Sequence, residues 1–311
     1  MMEVTNLTKT YAGGVQALRG VTLSLPAGKT LALVGESGCG KSTFARHLLG
    51  LETGDSGSVT LNGLDVGGLS AREIARVVQM VFQDPGSSLN PRRRIRDIVA
   101  EPLRVLGLRD SEEISRRVES ILDRVGLNAS ALDRYPHMFS GGQKQRIVIA
   151  RALITGAKVI LCDEPVSALD VSVQAQVLNL LMDLREEFGL SILFISHDLS
   201  VVRLVADEVA VMYLGRVVEW GMAGEVFRRP RHPYTRLLLD STPRLDRPAV
   251  DVALDAQELP SPKNPPKGCS FHGRCPWAQD KCRSEDPIPR DIGQGHEVAC
   301  HLAEQLDLSL P

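Results

Sequence analysis

Apolar runs of four to six residues recur along the first 240 residues, separated by segments in which apolar residues repeat every three or four positions. The runs predict short strands, and the repeating segments predict amphipathic helices between them. This alternation indicates an α/β fold. The clearest predicted strands span 30–34, 77–82, 159–162, 191–195 and 209–213, and the clearest predicted helices span 112–125 and 173–188.

The two ends of the chain depart from this pattern. Apolar runs around Val4 and at 17–25 predict strands near the start, and a hairpin at 209–220 precedes two short helices. Residues 241–267 have little periodicity and many prolines, which predicts a linker or an irregular arm. We therefore predict a large domain at 1–240 and a small one at 241–311. The prolines are Pro243, Pro248, Pro260, Pro262, Pro265 and Pro266.

Length and charge narrow the class of protein. A chain of 311 residues is long enough for one large domain and a small appendage. Its 36 basic and 38 acidic residues nearly cancel, so no overall field favours nucleic acid, and we expect no nucleic-acid partner. No apolar run approaches the ~18 residues of a membrane span. The first residues lack the layout of a secretory signal, so we expect a cytosolic chain.

Residues 35–43 have the sequence GESGCGKST, in which Gly35, Gly40, Lys41 and Ser42 match the phosphate-binding pattern of P-loops. A predicted strand ends directly before this loop and a predicted helix follows it. Backbone N–H groups and the positive end of the helix dipole then point at one spot. We predict that a nucleoside triphosphate binds there, with Lys41 on the outer phosphates and Ser42 on Mg²⁺. The loop alone suits a kinase, a GTPase or a motor equally well.

Polar residues follow two of the predicted buried strands. Asp163 and Glu164 end the strand at 159–162, and His197 comes after the strand at 191–195. Strands often end in an acid and a lone histidine is usually structural, but together with a phosphate loop these residues suggest chemistry. We predict Asp163 as a Mg²⁺ partner and Glu164 as the group that polarises a water. One βα unit separates His197 from Glu164, which puts both at the same sheet edge.

Three further features are ambiguous on their own. Ser140-Gly141-Gly142-Gln143 opens a predicted helix and could bind an anion, although Ser-Gly-Gly is also a common linker triplet. Tyr11 could stack on an adenine or be a surface tyrosine. Gln83 ends an apolar run before a turn-rich loop, and the arginines after that loop are typical of a solvated face.

Taken in this order, the motifs of residues 1–240 resemble those of the ATP-binding subunit of an ABC transporter. Residues 35–43 are similar to Walker A, 159–164 to Walker B, 139–146 to the ABC signature, and 167–170 to the D-loop. Gln83 resembles the Q-loop glutamine and His197 the switch histidine. The resemblance implies a P-loop NTPase with a RecA-like core sheet, an antiparallel β subdomain and an α-helical signature subdomain.

The same resemblance implies a role for each motif residue. Ser42, Gln83 and Asp163 would organise Mg²⁺, Glu164 and His197 would be catalytic, and Tyr11 would stack on adenine. Ser140, Gly141, Gly142 and Gln143 would bind the γ-phosphate held by a partner subunit. The phosphate-binding residues would be Gly35, Glu36, Ser37, Gly38, Cys39, Gly40, Lys41, Ser42 and Thr43.

The segments 83–92 and 232–243 and the cysteine-containing tail resemble the di- and oligopeptide import subfamily. The resemblance implies a second ATP-binding subunit, two membrane permeases and a solute-binding protein, with this chain peripheral on the cytoplasmic face of the cell (inner) membrane. Nickel importers are similar in build and stay open as an alternative. Soluble ABC ATPases of ribosomes or DNA usually have two cassettes or a long coiled coil. An exporter ATPase is a nearer alternative, and the peptide-importer loop and tail argue against it.

Four of the six cysteines, Cys269, Cys275, Cys282 and Cys300, lie close together near the chain end. In a reducing compartment such a cluster suggests metal binding more than disulfides. Thiolates suit a [4Fe–4S] cluster or Zn²⁺ equally well, and His272, His296 and His301 are spare candidate ligands. The resemblance favours [4Fe–4S], so we predict a small irregular metal-binding domain. The metal would staple the fold or, alternatively, serve redox regulation.

Overall fold

The computed structural model describes residues 1–241 and 259–309. Strands and helices alternate along most of the chain, as the apolar pattern predicts. The strands are β1 Met2–Tyr11, β2 Val15–Leu25, β3 Thr30–Val34, β4 Ser56–Leu61, β5 Leu64–Asp65, β6 Val78–Val81, β7 Val159–Asp163, β8 Ser191–Ser196, β9 Glu208–Tyr213, β10 Arg216–Met222, β11 Arg290–Asp291 and β12 Glu297–Val298. The α-helices are α1 Lys41–Leu48, α2 Ala71–Val77, α3 Pro85–Ser88, α4 Ile95–Val105, α5 Ser111–Arg124, α6 Gly141–Leu153, α7 Val171–Phe188, α8 Leu199–Val205, α9 Ala223–Arg228, α10 Pro233–Asp240 and α11 Asp280–Ser284.

The described strands form two sheets. The larger has the order β11-β12-β10-β9-β3-β8-β7-β6, and its strands β9, β3, β8, β7 and β6 are parallel neighbours. The smaller is antiparallel, with the order β2-β1-β4-β5. The carboxyl ends of β3, β6, β7 and β8 therefore meet at one edge, where open α/β sheets bind ligands.

Two apolar cores cover the two faces of the larger sheet. On β8, Ile192 and Phe194 pack into the core beneath the helices, whereas Leu193 and Ile195 pack toward the smaller sheet. Successive side chains of a strand point to opposite faces, so a strand that is buried on both faces must be apolar throughout. This explains the uninterrupted apolar runs in the sequence.

Helices α4, α5 and α6 form a helical region beside the sheet. The stripe Ile114, Val118 and Ile121 of α5 is buried, as its spacing predicts. The arginine run at the start of α4 is not only a solvated face, because Arg93 pairs with Glu101, and Arg94 and Arg96 pair with Asp133. These are largely exposed pairs, worth at most about 1 kcal/mol each.

The C-terminal segment packs on the rest of the chain. β12 pairs antiparallel with β10, with Glu219 opposite Val298. Phe271 is buried in the larger core, beside the rings of Tyr213 and Tyr234. The predicted linker at 241–267 falls partly on residues 242–258, which lie outside the described residues. None of the helices in the described ranges is long and apolar enough to cross a bilayer.

Candidate active site

A pocket of about 690 Å³ opens at the sheet edge where β3, β6, β7 and β8 end. It brings together residues that are far apart in the sequence and that the motifs single out. Its lining residues are Tyr11, Val15, Ala17, Ser37, Gly38, Gly40, Lys41, Ser42, Thr43, Gln83, Asp163, Glu164, His197 and Pro262.

At two positions of the phosphate loop the backbone has a positive φ that only glycine adopts readily. Gly35 has φ +154° and Gly40 has φ +114°. A Cβ on Gly35 would lie 2.2 Å from the Met212 carbonyl oxygen, and one on Gly40 would lie 2.4 Å from the Ala17 carbonyl oxygen. The loop is therefore pressed against β9 and β2. α1 begins directly after Gly40, so the helix N-terminus faces the pocket.

Lys41 is almost fully buried at the mouth of this loop. Its Nζ donates to the carbonyl oxygens of Gly35, at 2.7 Å, and Glu36, at 3.0 Å. An ammonium held beside a row of backbone N–H groups gives the loop a strongly positive face. Such a face suits the outer phosphates of a nucleotide.

Two carboxylates and two polar partners occupy the other side of the pocket. Glu164 Oε1 lies 2.7 Å from His197 Nδ1, and Glu164 Oε2 accepts from Gln83 Nε2 at 2.8 Å. Glu164 has φ +46°, a conformation that costs of order 1–3 kcal/mol in a non-glycine residue and is common at functional sites. Burial, followed by the neighbouring Glu164, raises the pKa of Asp163. A cation between the carboxylates of Asp163 and Glu164 would offset both effects and favour the charged form of Asp163.

The opposite end of the pocket is bounded by Tyr11 at the end of β1. Its hydroxyl donates to Glu52 and lies 3.3 Å from Thr43 Oγ1, which fixes the ring at the pocket edge. Pro262 lines the same pocket, and its carbonyl oxygen accepts from Gln16 N at 2.9 Å. This proline comes from the predicted linker, and nothing in the sequence pattern pointed to it.

Three loop residues on the predicted list, Gly35, Glu36 and Cys39, do not line the pocket. Cys39 is buried, and Glu36 faces the C-terminal segment. The Glu36 carboxylate takes two hydrogen bonds from Arg274, at 2.8 and 2.9 Å, and its backbone N–H donates to Tyr234 Oη at 2.9 Å. No sequence pattern predicts the contacts of Arg274 and Tyr234 with Glu36, because more than 190 residues separate each of them from it.

The residues of 140–143 lie apart from this pocket, at the start of α6. Ser140 and Gln143 form a reciprocal capping box, so the first turn is ordered, and both residues are exposed. A Cβ on Gly142 would lie 2.4 Å from Val173 Cγ1, which shows how tightly this turn packs on α7. The arrangement presents a helix N-terminus outward, away from the chain's own phosphate loop.

The four C-terminal cysteines lie near one another but do not form a metal-binding group. Burial raises the pKa of Cys269 to about 11 and that of Cys275 to about 12, and the nearby thiols of Cys282 and Cys300 add to both shifts. Within residues 1–241 and 259–309, no three Cys, His, Asp or Glu side chains are placed to hold one ion. The predicted C-terminal metal-binding domain is thus not supported, because in these ranges the half-buried Cys269 and Cys275 and the buried Cys282 and Cys300 do not converge as one ligand group. Of the spare histidines, His296 pairs with Glu219 and His301 with the Glu285 carbonyl.

Comparison with known proteins identifies the family. Residues 18–167 match the model of the ABC transporter family, and residues 218–282 match that of the oligopeptide/dipeptide transporter C-terminal region. The chain is 53% identical over 295 residues to the di/tripeptide transport ATP-binding protein DppF of Pseudomonas aeruginosa, covering 94% of this chain and 91% of the relative. It is 50% identical over 300 residues to the oligopeptide transport ATP-binding protein OppF of Escherichia coli, covering 94% and 89%.

Solved structures of ATP-binding cassettes share the fold. CbiO1 of Clostridium perfringens, part of an ABC transporter complex, aligns with a TM-score of 0.67 at 31% identity over 73% of this chain and 90% of that one. The dimeric cassette MJ0796 with ADP and phosphate aligns with a TM-score of 0.63 at 30% identity, over 72% and 99%. The predicted P-loop NTPase fold is therefore confirmed. The chain belongs to the ATP-binding subunits of ABC transporters, in the oligopeptide/dipeptide branch of that family.

Proposed function

We propose that this chain is the ATP-hydrolysing subunit of an importer of dipeptides or oligopeptides. The observation that carries the proposal is the pocket in which the phosphate loop faces Asp163, Glu164, Gln83 and His197. The names of the relatives, which are peptide transport ATP-binding proteins, support peptide as the substrate class. Nickel, the alternative from the sequence, lacks such support in these names.

In this proposal residues 35–43 bind the phosphates of ATP, with Lys41 at the outer ones. Ser42, Gln83 and Asp163 would hold Mg²⁺, whose charge would offset the raised pKa of Asp163. Glu164 would orient or deprotonate the attacking water, and His197 would contact the γ-phosphate. Tyr11 would stack on the adenine. Catalysis would then consist of positioning and of stabilising the charge of phosphoryl transfer.

The exposed turn at Ser140 to Gln143 supports a composite site shared by two cassettes. It lies outside the chain's own pocket and presents backbone N–H groups at a helix N-terminus, which suits the γ-phosphate on a second subunit. A chain without its partner should therefore bind ATP and hydrolyse it slowly. That second cassette is a copy of this chain or a similar subunit.

A groove of about 700 Å³ between α2, β6 and α4 supports docking of membrane permeases. Large apolar side chains at its rim are exposed, with Leu51 at 69%, Val105 at 56% and Phe82 at 43%. Phe82 directly precedes Gln83, so a permease element seated in the groove would be one residue from the nucleotide pocket. This supports a peripheral place for the chain on the cytoplasmic face of the membrane, with two permeases and a solute-binding protein.

Docking can be tested by replacing Val105 with glutamate, which puts a charge on the rim without touching the nucleotide pocket. Loss of co-purification with the permeases, with ATP binding retained, is expected. Val171→Glu is a matched control, because Val171 is also exposed, at 82%, but lies outside the groove. Equal recovery of permeases with both variants would contradict the assignment of the groove.

The four cysteines are included in the proposal as a site for a [4Fe–4S] cluster, with Zn²⁺ as the alternative. The donor type and the mutual electrostatic influence of the thiols support it. The placement of the thiols in the described residues does not support a metal site, so metal binding would require the thiols to be deprotonated and to move closer together. Metal analysis and visible absorption of anaerobically purified protein test this. Iron with sulfide supports the cluster, zinc supports the alternative, and metal-free protein contradicts both.

The division into 1–240, which carries the ATP chemistry, and 241–311, which carries the cysteines, is also a proposal. A protease site inserted after Ser241 tests it. ATP binding should survive cleavage there, because the pieces would stay associated through β10 and β12. Loss of binding on cleavage would contradict the division.

Stimulation of ATPase activity tests the function as a whole. The assembled complex of cassettes and permeases should hydrolyse ATP faster when a solute-binding protein loaded with peptide is added. The same binding protein without peptide should stimulate less. Recovery of the chain only with ribosomes or DNA would contradict the importer function.

A further inference from the structure

The C-terminal segment contacts the nucleotide site at two separate points. Pro262 lines the pocket beside Tyr11 and Val15, and Arg274 reaches Glu36 within the phosphate loop. Pro262 lines the pocket itself, whereas Arg274 contacts a loop residue outside the lining, and both come from the part of the chain that the motifs leave without a role in ATP chemistry.

The pair formed by Arg274 and Glu36 is built to hold one geometry. Arg274 Nη1 donates to Glu36 Oε2 and Arg274 Nη2 donates to Glu36 Oε1, and the Arg274 side chain is only 10% exposed. The guanidinium also lies 5.9 Å from the ring centres of Tyr213 and Phe271. The Glu36 carboxylate, followed by the Tyr213 hydroxyl among the groups that favour the charge, raises the pKa of Arg274, so the cation is permanent.

The same loop residue is held a second time through its backbone. The N–H of Glu36 donates to the hydroxyl of Tyr234, which is fully buried against Tyr213 and Phe271. Phe271 belongs to the C-terminal segment, three residues before Arg274. The segment thus fixes both the side chain and, through packing on Tyr234, the backbone of Glu36.

The charge of Glu36 explains why its pairing with Arg274 affects the nucleotide site. Glu36 is next to Ser37 and Gly38, which line the pocket, and its own carbonyl accepts from Lys41. An unpaired carboxylate at this place would repel a polyphosphate and compete for Lys41. Removing one partner of a largely buried ion pair leaves one uncompensated charge, whereas replacing both partners by neutral groups is often tolerated.

We propose that Arg274 is a positioning residue of the nucleotide site, which neutralises Glu36 and keeps its carboxylate away from the phosphate-binding face of the loop. The C-terminal segment is therefore part of the ATP site in the same chain, and nucleotide binding and ordering of that segment favour one another. This inference depends on the proposed nucleotide site and adds the residue that connects it to the tail.

Nucleotide affinity of the full-length chain tests the role of Arg274. Arg274→Met should raise the Kd for ATP about tenfold and the Kd for ADP less, because the repulsion grows with phosphate charge. The double variant Arg274→Met with Glu36→Gln should return the Kd to within about threefold of wild type. A merely structural arginine would not be rescued by removing the charge of its partner.

Arg216 provides the matched control. It also joins the C-terminal segment to the rest of the chain, through an ion pair with Asp286 at 2.6 Å, but it does not touch the phosphate loop. Arg216→Met should leave the Kd for ATP unchanged. Should Arg274→Met not fold, Arg274→Lys takes its place, with an expected rise of about threefold.

Hydrogen exchange in the wild-type chain gives a second readout. ATP should slow amide exchange at residues 269–283, and it should do so less in the Arg274 variant. Binding of ATP by the wild type with an unchanged Kd in the variant, no rescue by the double variant, or no ATP effect on exchange would overturn this inference alone. Failure of the wild-type chain to bind ATP would overturn the proposed site as well.

Discussion

Replacing Glu164 by glutamine should separate ATP binding from hydrolysis. Glu164 makes two side-chain contacts, with His197 Nδ1 at 2.7 Å and with Gln83 Nε2 at 2.8 Å. Glutamine keeps one oxygen for His197, and its amide can donate to Gln83 once that side chain turns over. Both hydrogen bonds are then preserved, so the free energy of unfolding should change by less than about 1 kcal/mol. The Kd for ATP should stay within about threefold.

Hydrolysis should respond very differently, because an amide cannot accept a proton from water. Loss of a positioned general base usually costs a factor of about 10² to 10⁴, or about 3–5 kcal/mol in the activation barrier. The assay is phosphate release by the assembled complex, with a partner cassette that cannot bind nucleotide. Under these conditions the measured turnover belongs to this chain.

A matched variant and a clear contrary result complete the test. Glu208 accepts a hydrogen bond from Trp220 Nε1 at 3.0 Å, outside the pocket, so Glu208→Gln should leave hydrolysis unchanged. Turnover of Glu164→Gln within tenfold of wild type would refute the role of Glu164. Loss of ATP binding by this variant would refute the geometric reasoning.

Three other substitutions are expected to act through single features of the fold. Gly40→Ala should abolish ATP binding and lower the free energy of unfolding by about 2 kcal/mol, since φ is +114° and the new Cβ would meet the Ala17 carbonyl. An ATP-binding assay and urea unfolding measure these two effects. Full ATP binding by the variant would contradict the prediction. Gly142→Ala should reduce hydrolysis by the assembled complex without changing ATP affinity, because its Cβ would push on Val173 at the exposed signature turn. Unchanged turnover would contradict a composite site. Burial lowers the pKa of His232 to about 3 in the folded chain, whereas the unfolded chain keeps a pKa of about 6.5. Between these two pH values only the unfolded chain is protonated at His232, so the free energy of unfolding should fall as pH falls from 6.5 toward 3. His232→Asn keeps the N-cap of α10 and should reduce that slope by up to about 1.4 kcal/mol per pH unit in urea titrations, whereas an identical slope would show that His232 does not titrate this way.

Local signals predicted most of the strands and helices. The helix predicted at 112–125 is α5 at Ser111–Arg124, and that at 173–188 is α7 at Val171–Phe188. Strands buried on both faces must be apolar throughout, so the uninterrupted apolar runs are enough to predict β3, β7 and β8. The meeting of Glu164 and His197 was also predictable, since parallel strands end at one edge of the sheet.

Contacts between distant parts of the chain could not be predicted in this way. Arg274 meets Glu36 across 238 positions, and neither residue type is unusual where it stands. Pro262 reaches the pocket from a segment whose composition predicts a linker or an irregular arm but not which of its residues would contact the site. The cysteine site stays a prediction, because clustering in the sequence suggests metal ligands, whereas the described residues show no three Cys, His, Asp or Glu side chains placed to hold one ion.

The most direct test of the importer function is peptide uptake by the reconstituted complex. Vesicles would contain the permeases and both cassettes, with ATP on the cassette side and a solute-binding protein loaded with labelled peptide on the other. Uptake that requires ATP, and that is lost with Glu164→Gln in an otherwise identical complex, is the predicted result. ATP hydrolysis without peptide accumulation, or accumulation that does not need this chain, would contradict the account.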